Sequence, residues 1–251
     1  DVRIIVAEDD PINRRLMEAF FKRLGRTCDF AVNGRDLLDR MEKTGYEIVF
    51  LDISASAEGR GTLLDTVQRT AEVLFSPLTV GGGVRTVEDM GALLRAGADK
   101  ISVNTAAVRD PGLLTRGADL FGSQCVVGSV DAARQGSFWR AFIHGGRTPT
   151  ELDGVAWAVE MVRRGAGEIL LTSMDRDGVR TGYDLDLTRA VADAVAVPVV
   201  ASGGAGAPEH LADAFRLGGA SAALLAGILH DGMTTVREVK ATLSAMGLEV
   251  R

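Results

Sequence analysis

Acidic side chains follow several short apolar runs in this sequence of 251 residues. Asp9 and Asp131 each end such a run, and Asp52 and Asp177 follow two others. Burying a carboxylate at the end of a strand costs free energy unless it is paired with another group or takes part in function. For any one of these aspartates, the alternative role is that of a helix N-cap. Two carboxylates that face each other suit a general acid and a general base, each worth about 10²–10⁴ in rate. The candidate acid–base pair is Asp9 and Asp131. Further site candidates are Asp52, Thr172 and Asp177.

Glycine-rich turns follow two other apolar runs. Without a Cβ atom, the backbone can approach a phosphate and direct its N–H groups at it, although a tight turn alone is the alternative explanation. In both cases the next apolar run ends in a small or polar pair that would complete a cradle. Two such cradles predict a ligand with a phosphate at each end. The predicted phosphate-binding residues are Gly82, Gly83, Asn104, Thr105, Gly203, Gly204, Ala226 and Gly227.

Both glycine clusters belong to an internal repeat. The run Pro77–Gly83 recurs as Pro198–Gly204, and Arg3–Asp9 resembles Cys125–Asp131 at nearly the same offset along the chain. One pair of matching segments is weak evidence for a repeat. Two pairs that are separated by nearly the same number of residues predict two related half-barrels. Such symmetry would place the two candidate acids opposite each other, and the two glycine clusters likewise.

Continuous apolar runs alternate with amphipathic segments along the whole chain. Continuous runs are typical of parallel strands that are covered on both faces. Amphipathic segments that end at glycine, such as 153–164 before Gly165, predict helices. Strands joined by helices predict an α/β protein, a parallel (βα) TIM-type barrel, formed by residues 1–251 as a single domain. The predicted strands are 3–7, 28–32, 48–53, 78–80, 100–103, 125–130, 168–172, 199–202 and 222–226.

Composition and spacing exclude several classes of protein. A net charge of −6 without a cluster of basic residues predicts no nucleic-acid partner. No apolar run is long enough to cross a bilayer, so no membrane partner is expected. Cys28 and Cys125 lack metal-ligand spacing and indicate buried thiols in a reducing, cytoplasmic compartment. We expect neither a metal nor a cofactor, and we interpret His144, His210 and His230 as non-catalytic.

From Phe50 onward the sequence closely resembles the cyclase subunit of imidazole glycerol phosphate synthase. The resemblance implies that Asp9 and Asp131 act as acid and base. It also implies a bisphosphorylated aminoimidazole ribonucleotide as substrate, which reacts with ammonia to close the imidazole ring and release a carboxamide nucleotide. The family's phosphate contacts fall on seven of the eight residues predicted above, all except Gly83. The matching runs include Thr79–Val84, Gly97–Val108, Phe121–Cys125, Gly165–Gly178 and Val200–Gly206.

Charged residues begin four of the predicted strands. They are Arg3, Glu47, Lys100 and Glu168. In the resembled family such a ring gates the passage of ammonia from a glutaminase subunit. The alternative is a solvated ring of alternating charges, which we favour because the first quarter of the chain differs from that family. Docking of a glutaminase subunit is therefore compatible with the sequence but not expected.

Residues 1–50 resemble instead the first three strands of a response-regulator receiver domain, which has a flavodoxin-like fold. In that family Glu8 and Asp9 bind Mg²⁺ and Asp52 accepts a phosphoryl group. The later receiver residues are missing, so a working phosphorelay is not expected. The resemblance rests on Arg3–Arg14, Ala31–Arg35 and Ile48–Ile53.

Together the two resemblances predict a designed chimera of a receiver-like segment, 1–50, and a cyclase-like segment, 51–251. The receiver adds a βα unit, 27–43, whose strand lies on the outer side of the first strand, so we expect a nine-stranded or distorted barrel. A helix begins at Asp10–Pro11, where the cyclase family has a mobile loop that covers the substrate. Loss of such a lid predicts phosphate binding with weak or no catalysis. The alternative is an active, ammonia-dependent cyclase.

Overall fold

The computed structural model describes residues 4–7, 28–31, 48–51, 60–73 and 77–250. The chain divides into two compact units, one of residues 1–80 and 92–99, the other of residues 81–91 and 100–251. The described strands are β1 (Ile4–Ala7), β2 (Cys28–Ala31), β3 (Ile48–Leu51), β4 (Thr79–Gly81), β5 (Lys100–Val103), β6 (Val126–Gln135), β7 (Phe138–Ile143), β8 (Thr148–Asp153), β9 (Glu168–Ser173), β10 (Val199–Ser202) and β11 (Ala222–Ala223). The described helices are α1 (Arg60–Val73), α2 (Val87–Arg95), α3 (Thr105–Arg109), α4 (Gly112–Phe121), α5 (Gly154–Arg163), α6 (Leu185–Ala194), α7 (Pro208–Arg216), α8 (Gly227–His230) and α9 (Val236–Ala245).

The first unit contains a parallel sheet of three strands in the order β2-β1-β3. Ile4 of β1 pairs with Cys28 of β2 on one side and with Ile48 of β3 on the other. β1 and β3 contain Ile and Val, residues that favour strand conformation, whereas β2 contains none of them. Because β1 lies in the middle, the second strand of the chain lies on the outer side of the first.

The second unit contains a parallel sheet in which β11, β10, β9, β6 and β5 are neighbours in that order. Its register places Asp131 of β6 beside Thr172 of β9, and Thr172 beside Ser202 of β10. Helices separate most of these strands along the chain, as parallel pairing requires a crossover. The register therefore aligns three polar side chains on neighbouring strands.

Strand β6 is longer than the sequence predicts. A strand over 125–130 would leave Asp131 just beyond its end, but β6 runs to Gln135 and Asp131 lies inside it. The extension forms because β7 folds back on β6, pairing Phe142 with Asp131, and β8 then pairs with β7. Cys125, expected in the strand as a buried thiol, lies instead in a 3-10 turn and is partly exposed.

The last helix, α9, completes a hydrophobic cluster of the second unit. Val239 and Leu243 of α9 are buried with Leu211 of α7 and Ala201 of β10. Burying a Val or Leu side chain stabilises the fold by about 1.5–3 kcal/mol relative to exposure. A capping box of Thr235 and Glu238 sets the start of α9, because each side chain accepts from the other residue's backbone N–H.

The alternation of strands and helices on parallel sheets confirms the predicted α/β class of the (βα) TIM-type barrel. The single-domain organisation over 1–251 and the ninth barrel strand stay predictions. Asp9, Asp52 and the helices expected after Asp10 and Asn33 lie outside the described residues. Among the helices that the structure describes, none combines the length and apolar character needed to cross a membrane.

Candidate functional site

Asp131 is the best-defined acidic group of the candidate site. Its Oδ2 accepts a hydrogen bond of 3.0 Å from the side-chain amide of Asn104, which follows β5. Burial raises the pKa of Asp131, and the negative charge of Asp177 raises it further, while the bond from Asn104 lowers it. A carboxyl group with a raised pKa can hold and return a proton, as general acid–base catalysis requires. The acid–base role of Asp131 stays a prediction, and its expected partner, Asp9, lies outside the described residues.

Asn104 has a role that the sequence does not reveal. Besides its bond to Asp131, its side-chain nitrogen donates to the carbonyl oxygen of Phe142 in β7 at 3.2 Å. Both hydrogens of the amide are therefore used within the protein. Any contact from Asn104 to a phosphate must then come from its backbone N–H, and the side chain orients Asp131.

The glycines of both predicted cradles have positive φ values. Gly82 and Gly83 have φ of 87° and 68°, and Gly203 and Gly204 have φ of 88° and 107°. These positive φ values favour glycine, and the missing Cβ allows a ligand to approach the backbone. The residues that precede the short helices α3 and α8 also have similar φ and ψ values. Asn104 has φ −118° and ψ −86°, and Ala226 has φ −133° and ψ −65°. The repeat seen in the sequence is therefore also a repeat of backbone geometry.

Thr105, the first residue of α3, has a defined hydroxyl environment. Its Oγ1 accepts a hydrogen bond of 2.9 Å from the backbone N–H of His144, in the turn between β7 and β8. The hydroxyl proton is consequently available to an external acceptor such as a phosphate oxygen. The phosphate-binding role of Thr105 stays a prediction.

The loop between β9 and α6 packs against the second glycine cluster. The N–H of Gly182 donates to the carbonyl oxygen of Gly204 at 2.9 Å. A Cβ atom at Gly203 would lie 2.7 Å from the carbonyl oxygen of Ser173 and 3.4 Å from the backbone nitrogen of Asp177. Asp177, predicted only as a further site candidate, thus lies beside the second cradle and influences Asp131 electrostatically.

At the amino ends of β5 and β9, Lys100 and Glu168 form a salt bridge of 2.6 Å. Their side chains are 31% and 19% exposed, so the pair is partly shielded from water. The other two members of the expected ring, Arg3 and Glu47, lie outside the described residues. Within the described parts of the chain, no cluster of three or more His, Cys, Asp or Glu side chains could hold a metal ion.

Two polar contacts near the site escape sequence reasoning. His144 contacts Thr105 through its backbone, and the buried Ser173 approaches Asp184 at 3.4 Å. In the sequence, His144 precedes two glycines at a hairpin turn, and this position indicates a turn with positive φ values. No pattern in the sequence indicates the contact between Ser173 and Asp184.

The chain is similar in sequence to known proteins. Residues 28–235 match the family described as "Histidine biosynthesis protein". The imidazole glycerol phosphate synthase subunit HisF of Myxococcus xanthus (strain DK1622) is 64% identical over 217 residues, which cover 86% of each chain. The subunit of the same name from Metallosphaera sedula is 56% identical over 229 residues, which cover 90% of this chain and 91% of that one. The family match begins at residue 28, so the similarity extends upstream of the boundary expected near residue 50.

Proposed function

Because the chain belongs to the histidine biosynthesis protein family, we propose that it is the cyclase subunit of imidazole glycerol phosphate synthase. Its substrate is a bisphosphorylated aminoimidazole ribonucleotide, and ammonia supplies the nitrogen that closes the imidazole ring. A carboxamide nucleotide is the second product. The relatives are named as subunits of a synthase, so we also propose that this chain works beside a second, ammonia-supplying subunit.

One observation carries the proposal: two cradles of matching backbone conformation occur in the unit that also contains a half-buried carboxyl group of raised pKa. Each cradle binds one terminal phosphate of the substrate through backbone N–H groups, and the Thr105 hydroxyl adds a donor to the first. Binding both ends fixes the reacting centre, and such positioning supplies a large share of the rate enhancement in enzymes.

Asp131 transfers protons during ring closure and release of the second product. Its raised pKa suits it to hold a proton, and Asn104 holds its carboxylate in one orientation. Asp9 completes the acid–base pair in this proposal. Losing either group would cost about 10²–10⁴ in rate.

A steady-state assay with the bisphosphorylated substrate and an ammonium salt tests the proposal. We expect turnover by the unmodified chain and a loss of at least about 10²-fold in kcat for Asp131→Asn. Asp186→Asn is the matched control, because it removes the same charge from an exposed position in the first turn of α6. Absence of turnover in the unmodified chain, or equal rates for the two variants, would refute the proposed function.

A second candidate function is a phosphate-binding scaffold with little turnover, as a receiver-like first segment implies. The observation that favours it is the strand order β2-β1-β3, in which the second strand lies outside the first as in a flavodoxin-like sheet. The same assay separates the candidates, since the scaffold binds phosphate but turns over the substrate far more slowly than the two relatives do.

A further inference from the structure

His144 has a backbone conformation that requires an explanation. It begins the turn between β7 and β8 with φ of 56°, in the left-handed region, and is followed by Gly145 and Gly146 with φ of 63° and 78°. A residue with a Cβ atom pays about 1–2 kcal/mol for this conformation, and a third glycine would avoid that cost. We therefore ask which contacts of the His144 side chain offset this cost.

Every polar group of His144 has a partner. The backbone N–H donates to Thr105 Oγ1 at 2.9 Å, and the carbonyl oxygen accepts from Arg147 Nε at 2.8 Å. Ring atom Nε2 lies 2.9 Å from Arg109 Nη2, and Nδ1 lies 3.0 Å from Thr148 Oγ1. A guanidinium group only donates, so Nε2 is the acceptor and Nδ1 carries the proton, which it donates to Thr148. These contacts fix one neutral tautomer and one ring orientation.

These contacts join the hairpin turn to both ends of α3. Thr105 and Arg109 are four residues apart and lie on the same face of this five-residue helix. The backbone of His144 holds the first, and its ring holds the second. A short isolated helix is only marginally stable, so these two contacts determine where the Thr105 hydroxyl lies.

We propose that His144 is a positioning residue for the phosphate cradle formed by Asn104 and Thr105. It clamps α3 so that the hydroxyl proton of Thr105 is directed at the phosphate, without touching the ligand itself. This proposal rests on the proposed function, since it assumes that this cradle binds one of the two substrate phosphates. It goes further by assigning a role in ligand affinity to a residue outside the cradle.

Substitutions of His144 can separate its ring from its backbone. His144→Gly keeps the left-handed backbone and the N–H to Thr105 but removes the acceptor for Arg109. His144→Gln restores an acceptor that can reach Arg109. Ser137→Gly is the matched control. It introduces a glycine in the exposed turn between β6 and β7 and does not change the contacts of α3.

Titration with inorganic phosphate, followed by calorimetry, and steady-state kinetics with the bisphosphorylated substrate provide the two readouts. For His144→Gly we expect binding at one phosphate site to weaken about tenfold, as for loss of a charge-assisted contact. The KM for the substrate should rise by a similar factor while kcat changes less than twofold. His144→Gln should recover most of the affinity, and Ser137→Gly should match the unmodified chain.

Three outcomes would overturn the role of His144. They are unchanged affinity in His144→Gly, an equal loss in Ser137→Gly, and no recovery in His144→Gln. Failure of the proposed function is a different result, since the unmodified chain would then bind no phosphate and show no turnover.

Discussion

At the scale of single residues, the raised pKa of Asp131 connects catalysis to stability. Burial penalises the charged carboxylate, so the folded chain binds this proton more tightly than the unfolded chain does. The free energy of unfolding therefore falls as the pH rises from the ordinary carboxyl range through the raised pKa. Above the raised pKa the full cost of the buried charge is present. An enzyme that keeps such a group accepts lower stability in exchange for activity.

We accordingly predict that Asp131→Asn is more stable than the unmodified chain at pH 7, by about 1 kcal/mol. The asparagine oxygen can still accept from Asn104, so the packing is kept. The advantage should shrink as the pH falls through the raised pKa and disappear below the ordinary carboxyl range, where the aspartate is protonated in both states. Urea unfolding at several pH values measures it, with Asp186→Asn as the charge-matched control. A destabilised Asp131→Asn at pH 7 would contradict the assignment of a buried, charged carboxylate.

Residue types alone led to the candidate acids and both glycine clusters, whose roles stay predictions. They could not predict that the Asn104 amide serves Asp131 and Phe142, because that contact depends on the register of β6 with β7. For the same reason the sequence left the histidines as non-catalytic, an interpretation that does not conflict with the positioning role proposed for His144. Contacts between side chains distant in the sequence need the pairing of the strands.

At the scale of elements, the loop between β9 and α6 constrains the turn that follows β10. Gly203 has φ of 88°, and a Cβ atom there would lie 2.7 Å from the carbonyl oxygen of Ser173. Gly83, in the turn after β4, has φ of 68°, and no atom of the described residues lies within 4 Å of such a Cβ. The turn after β10 is therefore closely packed against the loop between β9 and α6.

Gly203→Ala should therefore destabilise the chain more than Gly83→Ala. Both alanines pay about 1–2 kcal/mol for the left-handed backbone, but the backbone carbonyl of Ser173 adds a clash only at Gly203. We expect the difference between the two to be at least about 1 kcal/mol in the free energy of unfolding. Urea unfolding of the two single variants gives this difference directly, and equal values would show that the loop moves aside.

The ends of strands were predictable where a short apolar run stops at a polar residue or a glycine. The bounds of β5 and β10 agree with the sequence because each run is short and stops at a polar or glycine residue. The prediction of β6 stopped early and β8 was missed, because Thr148–Asp153 is polar and contains Pro149. Its strand conformation comes from pairing with β7, which local composition does not encode.

At the scale of the whole molecule, two cradles on one chain predict a particular binding stoichiometry. Inorganic phosphate should occupy two sites, whereas the bisphosphorylated substrate should bind once and more tightly. The second contact of a bisphosphate is intramolecular, which raises the apparent affinity by about 10²–10⁴ when the geometry matches. A ligand at 100 times its Kd should also stabilise the chain by about 2.7 kcal/mol.

Calorimetry and thermal unfolding with inorganic phosphate and with the substrate test this prediction. Gly204→Val should reduce the inorganic phosphate stoichiometry from two to one, because its side chain would meet the carbonyl oxygen of Gly182. Substrate affinity should then fall to that of a single-phosphate ligand. A stoichiometry of one in the unmodified chain would contradict the two-cradle arrangement.

The placement of Asp131 in the middle of β6, with β7 on one side and β9 on the other, has an evolutionary consequence. A reactive group on a flexible connection shifts whenever that connection gains or loses a residue. Here the backbone ladder on either flank fixes the acid independently of the hairpin tip. Insertions or substitutions in the turn between β7 and β8 can therefore change ligand preference among descendants, while the position of the Asp131 carboxyl group is inherited unchanged.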